Sequence, residues 1–207
     1  MGLLRDIFGP SKDEIWSQFA ASVNGQFIDG GFLGKDQVTA RAGQWTITLD
    51  SFTRSSGSGS TSSSTTYTRM RAPFVNPEQF RFTIYREHIF SGLGKMLGCQ
   101  DVEIGDVFFD SQFVIKSNMP DRARQLLADD RLKRFIHAQP QINLTVKDDE
   151  GWFGTDFPAG VDELYFECRG LVRDVERLRH LYGLFATTLQ RLVAIGSAYA
   201  NDPGVRL

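Results

Sequence analysis

Gln44-Trp45-Thr46-Ile47-Thr48-Leu49-Asp50-Ser51-Phe52-Thr53 is the stretch from which the fold is read. Trp45, Ile47 and Leu49 alternate with Thr46, Thr48 and Asp50, the two-residue period of a strand with one buried and one polar face. The same period recurs outward from it, before it in Gln26 to Phe32 and Asp36 to Ala42, and after it in residues 65–73. Phe80, Phe82 and Ile84 alternate with Arg81, Thr83 and Tyr85. Val107, Phe109, Phe113 and Ile115 oppose Asp110, Gln112 and Lys116, and predict one strand. Ile142, Leu144, Val146 and then Leu164, Phe166, Cys168 complete the series. The connections are too short for repeated parallel crossovers, so the strands predict a mostly antiparallel sheet.

Helical signals flank the strands. Ser11 with Glu14 three residues later forms a capping box, and Ile15, Trp16, Phe19 and Val23 follow at helical spacing. Pro120 opens a region whose apolar side is Ala123, Leu126, Leu127, Leu132, Phe135 and Ile136, read as two short helices or one bent one. Ser91 to Leu97 reads as a helical turn or loop. Leu171, Val175, Leu178, Tyr182, Phe185, Leu189 and Leu192 recur at spacings of four and three. That heptad is open to a coiled-coil dimer, but Leu181, Leu184, Thr188 and Ile195 widen the stripe toward a helix laid across a sheet. The fold class is therefore α+β, with helices on one face of an antiparallel sheet and a long C-terminal helix packed across it. Residues 54–64, Arg-Ser-Ser-Gly-Ser-Gly-Ser-Thr-Ser-Ser-Ser, predict a flexible loop at a hairpin tip within a single domain spanning 1–207.

Composition narrows the function classes. The 207 residues carry 23 Lys+Arg against 25 Asp+Glu, a net charge of −2, so no general nucleic-acid coat is expected. Aromatic content of 12%, with 17 Phe, is the unusual figure, and Phe80, Phe82, Phe109, Phe113, Phe166 and Phe185 fall on inward faces. Phe8, Phe32, Phe52, Phe74, Phe90, Phe108, Phe153 and Phe157 fall mostly at element ends. Cys99 and Cys168 belong to no metal or redox motif and read as free thiols of a reducing compartment. Met1 to Phe8 has no secretory core, and Leu181 to Ala200 carries Arg191 centrally, which disfavours a membrane span. The expectation is a cytoplasmic chain.

Catalytic patterns are sparse. His88, His137 and His180 lie in separate elements without metal-ligand spacing, and no cofactor or metal motif stands out. Asp101, Glu103, Asp106 and Asp110 form the densest acidic run, read as a solvated strand edge rather than a cation site. Gly92-Leu93-Gly94-Lys95 matches a phosphate loop only in part, since Met96 follows the lysine. Glu163 and Glu167, with Arg169 and Lys147, read as cross-strand charge pairing on a polar face. Arg122 and Arg124 beside the helix start at Pro120 form a candidate anion site, in a region with a local excess of three positive charges. Tyr67, Arg69 and Arg71, near Arg81, Tyr85 and Arg86, share an interface-like face; Tyr182, Phe185, Leu189 and Leu192 are the candidate interface on the last helix.

Phe109-Asp-Ser-Gln-Phe-Val-Ile-Lys-Ser117, followed by Ala123-Arg-Gln-Leu-Leu127 and Leu132, resembles a segment of uncharacterised bacterial proteins of unknown function, over roughly residues 80–137. Several of those carry it in a cytosolic portion beside membrane helices, whereas this chain has no evident membrane helix. The resemblance implies a packing pattern and no site residue.

Taken together, these features predict a non-catalytic bacterial domain that binds another protein or itself, with homodimerisation through the C-terminal helix as one form. The alternative is a small-molecule-binding or hydrolytic α+β protein with a pocket between the sheet and that helix.

Overall fold

The computed structural model describes residues 10–31, 35–56, 62–86, 98–148 and 156–207. Its strands are β1 (Gln26–Ile28), β2 (Gln37–Ala42), β3 (Trp45–Ser56), β4 (Ser63–Val75), β5 (Phe82–Arg86), β6 (Gln100–Asp101), β7 (Phe113–Ser117), β8 (Asn143–Lys147) and β9 (Val161–Arg169). They form one nine-stranded sheet in the order β1-β2-β3-β4-β9-β8-β5-β7-β6, and every neighbouring pair is antiparallel. The helices are α1 (Lys12–Ser22), α2 (Val107–Asp110), α3 (Pro120–Leu127), α4 (Asp130–His137) and α5 (Val175–Ala194). The chain is α+β, as its alternating periods predict.

Each helix begins where a short polar side chain meets exposed backbone N–H groups, α3 excepted. Ser11 Oγ accepts from Glu14 N at 3.2 Å, and the Glu14 carboxylate accepts from Ser11 N at 3.0 Å, which completes the capping box of α1. Asp106, Asp129 and Asp174 cap α2, α4 and α5 in the same way. Asp129 also separates α3 from α4, so this region is two helices. Pro120 stands at the first turn of α3, where a missing N–H costs nothing.

Strand alternation sorts the sheet into two faces. Toward the helices point Ile47 and Leu49, Met70, Ala72 and Phe74, Leu164 and Phe166, Leu144 and Val146, Phe82 and Ile84, and Phe113 and Ile115, all buried. Against them α5 lays Leu178, Leu181, Leu184, Phe185, Leu189 and Leu192, each 0% exposed. Burying one such side chain contributes about 1.5–3 kcal/mol of transfer free energy, so this seam is a principal source of stability. α1 flanks α5 on one side and α3 and α4 on the other. Trp16 of α1 donates its indole N–H to Val172 O at 3.2 Å, which ties the first helix to the chain entering the last. Close approach of α4 to α5 rests on Gly183, where an added Cβ would lie 2.6 Å from Phe135 Cζ.

The structure corrects two expectations. Val107–Asp110 is a helical turn and only Phe113–Ser117 is strand. Asp106 draws the chain into that turn by accepting from Phe109 N at 3.1 Å, while the Asp110 carboxylate accepts from Ile104 N and Gly105 N at 3.1 and 3.0 Å. The loop expected over 54–64 is also shorter than read. Arg54 pairs with Thr65, Ser55 with Ser64 and Ser56 with Ser63, so the β3–β4 ladder extends into the serine-rich stretch. Backbone pairing does not need apolar side chains; residues 57–61 lie outside the described residues, as do His88, Gly92–Lys95, the Ser91–Leu97 turn and the N-terminal Met1–Phe8.

The phenylalanines follow the sheet. Phe80, Phe82, Phe109, Phe113, Phe166 and Phe185 are buried, and Phe74, expected at an element end, joins them at 0% exposure. Phe8, Phe32, Phe90 and Phe153 lie outside the described residues.

Candidate binding face on the sheet

No described helix packs on the second face of the sheet, yet its central positions are buried. They are Thr48 and Asp50 on β3, Arg71 on β4, Glu163, Tyr165 and Glu167 on β9, Asn143 and Thr145 on β8, and Thr83 on β5. Cross-strand register brings them together: Asp50 opposite Arg69, Thr48 opposite Arg71, Arg71 opposite Tyr165, Arg69 opposite Glu167, and Lys147 opposite Glu163.

Charges at this depth need partners, and most have them. Asp50 accepts from Arg69 Nε at 2.6 Å, from Arg69 Nη2 at 2.9 Å and from Arg71 Nη2 at 2.8 Å. Glu167 takes a two-pronged contact from Arg54, at 3.0 and 2.8 Å, and the Tyr165 hydroxyl donates to it at 2.7 Å. Burial, and then the neighbouring Glu167 carboxylate, push the Tyr165 hydroxyl up from its ordinary range. At the exposed end Phe52 stacks on Tyr67 at 5.4 Å, with the Arg54 guanidinium 4.9 Å from the Tyr67 ring.

Glu163 is different. It is 0% exposed, and both carboxylate oxygens lack a hydrogen-bond partner. Burial pushes its carboxyl up to about 7, against the opposing pull of Arg71, Lys147 and Arg69. Lys147, directly opposite, places its ammonium 3.1 Å from the Tyr165 ring centre and makes no ion pair among the described residues. Burial lowers the Lys147 amine, so acid and amine are both displaced toward neutrality. Of the cross-strand pairing expected of Glu163, Glu167, Lys147 and Arg169, the register sets Lys147 opposite Glu163, with no hydrogen bond to either Glu163 oxygen, while Glu167 bonds instead to Arg54 and Arg169 is exposed.

The other candidate residues fall elsewhere. Tyr67, Arg69 and Arg71 share the second face as expected, but Arg71 is 4% exposed and lies under the surface. Phe185, Leu189 and Leu192 are filled into this chain's own core, and Tyr182 is half-buried with its hydroxyl donating to Arg41 O at 2.6 Å. The helical stripe is therefore turned toward the sheet, and these residues offer no open surface to a partner helix. Arg122 and Arg124 sit beside the start of α3 but are engaged within the chain. Arg122 donates to Ile195 O at 2.6 Å and pairs with Glu78, whose carboxyl the Ser197 hydroxyl and Arg122 hold below its ordinary value. Arg124 donates to Asp121 at 2.9 Å and to Glu103 O at 3.0 Å.

The acidic run is likewise spent on structure. Asp101 pairs with Lys116 at 2.9 Å and Asp106 with Lys133 at 2.8 Å. Among the described residues no group of His, Cys, Asp or Glu is placed to hold a metal ion. His137 is packed among Phe108, Phe109 and Phe113, and burial lowers its imidazole from the ordinary value. Both cysteines are free thiols, with Cys168 buried and pushed up by that burial.

The buried ion network was missed because alternation labels a strand face polar without saying whether water reaches it. One signal was present: the polar positions of β3, β4 and β9 carry matched acids and arginines where a solvated face would do as well with serine, threonine or lysine.

Among the described residues, no helix is long and apolar enough to cross a membrane. No family model matches the chain, and no curated protein matches it. Among solved structures, the crystal structure of the mycobacterial trehalose monomycolate transport factor A, TtfA, aligns over 94% of this chain and 98% of that chain, at 9% sequence identity and a TM-score of 0.47.

Proposed function

We propose that the chain is a non-catalytic binding protein that takes a small polar molecule on the second face of its sheet. The supporting observation is Glu163, a fully buried carboxyl group with neither oxygen hydrogen-bonded. Leaving such a group unsatisfied costs roughly 1–3 kcal/mol or more, a cost a bound molecule with hydrogen-bond donors would offset. Its neighbours Asp50 and Glu167 are held by arginines and a tyrosine, and Asn143 Oδ1 on the same face is a further buried atom without a hydrogen-bond partner. The α5 side of the sheet is filled with fully buried side chains, which leaves the opposite face as the site for a ligand. The test is a thermal-shift screen of small polar compounds on the wild type and on Glu163→Gln. A stabilising compound whose effect vanishes in the variant supports the reading, and equal shifts in both proteins overturn it.

A second reading, self-association, is favoured by a separate observation. Val107 and Phe108 stand 85% and 67% exposed on α2, adjacent in sequence, with the Phe108 ring stacked on His137 at 5.3 Å. The Asp106–Lys133 pair at its edge resembles the polar rim around an apolar interface centre. Sedimentation velocity on wild type and on Phe108→Ser decides this. A dimer lost in the variant supports it, and a wild-type monomer at high concentration removes it.

A further inference from the structure

Within the ion network, the groups with capacity left over define what can be bound. Three N–H groups fill Asp50, and Glu167 is filled by Arg54 and Tyr165. The acid and the amine with capacity left over are Glu163, with no hydrogen bond to either oxygen, and Lys147, whose ammonium lies over the Tyr165 ring; Asn143 Oδ1 on β8 is also buried without a partner. They occupy directly opposed register positions on β9 and β8. Opposed side chains on one face start with Cβ atoms about 5 Å apart, so the two heads are neighbours although they do not bond. Glu163 is closed off from water, and half-buried Lys147 marks the side from which the pair is approached.

Resting on the ligand-binding reading above, we propose that this acid–amine pair selects a small zwitterion, an amino-acid-like molecule whose ammonium meets Glu163 and whose carboxylate meets Lys147. Charge complementarity supports this class over a simple ion. A lone cation would satisfy the acid but face Lys147, Arg69 and Arg71 across the same strands, and a lone anion would leave the buried carboxyl as it is. A zwitterion brings no net charge into the buried face, satisfies both heads, and replaces two separately desolvated groups by two charge-assisted contacts. The short spacing of the heads limits the ligand to a compact molecule.

Isothermal titration of the full chain near neutral pH with the standard amino acids, and with methylamine, acetate and acetamide as single-function controls, tests the proposal. The expected result is saturable binding of one or more amino acids, weakened at least about tenfold (about 1.4 kcal/mol) by Glu163→Gln and by Lys147→Met separately, with no binding of the controls. Circular dichroism on both variants confirms that they fold. Glu163-dependent binding of acetamide or methylamine alone would overturn the zwitterion while preserving a polar-ligand face. Amino-acid binding unchanged in both variants would overturn it and place the site elsewhere. Absence of any binding would overturn both readings, and a carbon-13-detected Glu163 carboxyl titrating below about 4 would then identify an ordinary Glu163–Lys147 ion pair as the reason.

Discussion

At Glu163 burial opposes ionisation, and the consequence is a stability that depends on pH in a definite direction. Its carboxyl is pushed up to about 7 in the folded chain, against about 4.3 when unfolded. Between those values the folded state keeps a proton that the unfolded chain has lost. Stability therefore falls as pH rises from about 4.3 to about 7 and is flat above, with a total loss on the order of 3 kcal/mol. Glu163→Gln should abolish that slope and raise the melting temperature at pH 8, measured by denaturation at a series of pH values. A slope unchanged in the variant would assign the titration to another group. Asp50 accepts from two arginines at once, so Asp50→Asn should cost about 3–5 kcal/mol by urea unfolding, because the guanidinium groups stay buried beside a neutral amide. A cost under about 1 kcal/mol would mean that water reaches the network.

Among the elements, the contact between α4 and α5 shows what periodicity can and cannot say. The apolar stripe of Leu178, Leu181, Phe185, Leu189 and Leu192 was legible and lies where a helix across a sheet requires. That Gly183 interrupts it for a reason was not legible, because the reason is a ring from another helix. Glycine to alanine in a helix interior normally stabilises by about 1 kcal/mol. Here the new Cβ would meet the Phe135 ring at 2.6 and 2.7 Å, so Gly183→Ala should instead destabilise by about 1–3 kcal/mol. Phe135→Leu in the same chain should return much of that loss, a coupling read by a double-mutant cycle. Additive effects would show that the ring moves aside freely. The Val107 to Ile115 strand failed for a related reason. Alternating apolar residues there were real, but two aspartate carboxylates captured backbone N–H groups and bent the first half into a turn.

For the whole molecule, the two faces of one sheet explain why the fold was legible and the candidate site was not. Tertiary packing of the helix-facing side follows from local pattern, since apolar side chains at strand period can only be buried. The opposite face has its partners set by register between β3, β4, β9 and β8, strands separated by up to about a hundred residues, and no local pattern carries that. The same register makes stability uneven. Beyond Phe52 on β3 and Tyr67 on β4, the hairpin is paired only with itself among the described residues, from Thr53–Thr66 out to Ser56–Ser63, apart from a hydrogen bond from Gly170 N to Thr66 O at 2.8 Å. Met70, Leu164, Phe166 and Leu144 sit at the centre, flanked by strands and covered by α5. Opening the arm exposes little apolar surface, whereas opening the centre exposes the core. Amide hydrogen exchange should therefore show Thr53, Arg54, Ser64 and Thr65 exchanging orders of magnitude faster than Met70, Phe166 and Leu144, with the central amides reporting global unfolding. The Arg54–Glu167 contact is an ion pair from the arm back to the network, so Arg54→Met should quicken exchange in the arm and leave the centre unchanged. Equal protection in arm and centre would mean that the hairpin and the sheet open as one cooperative unit.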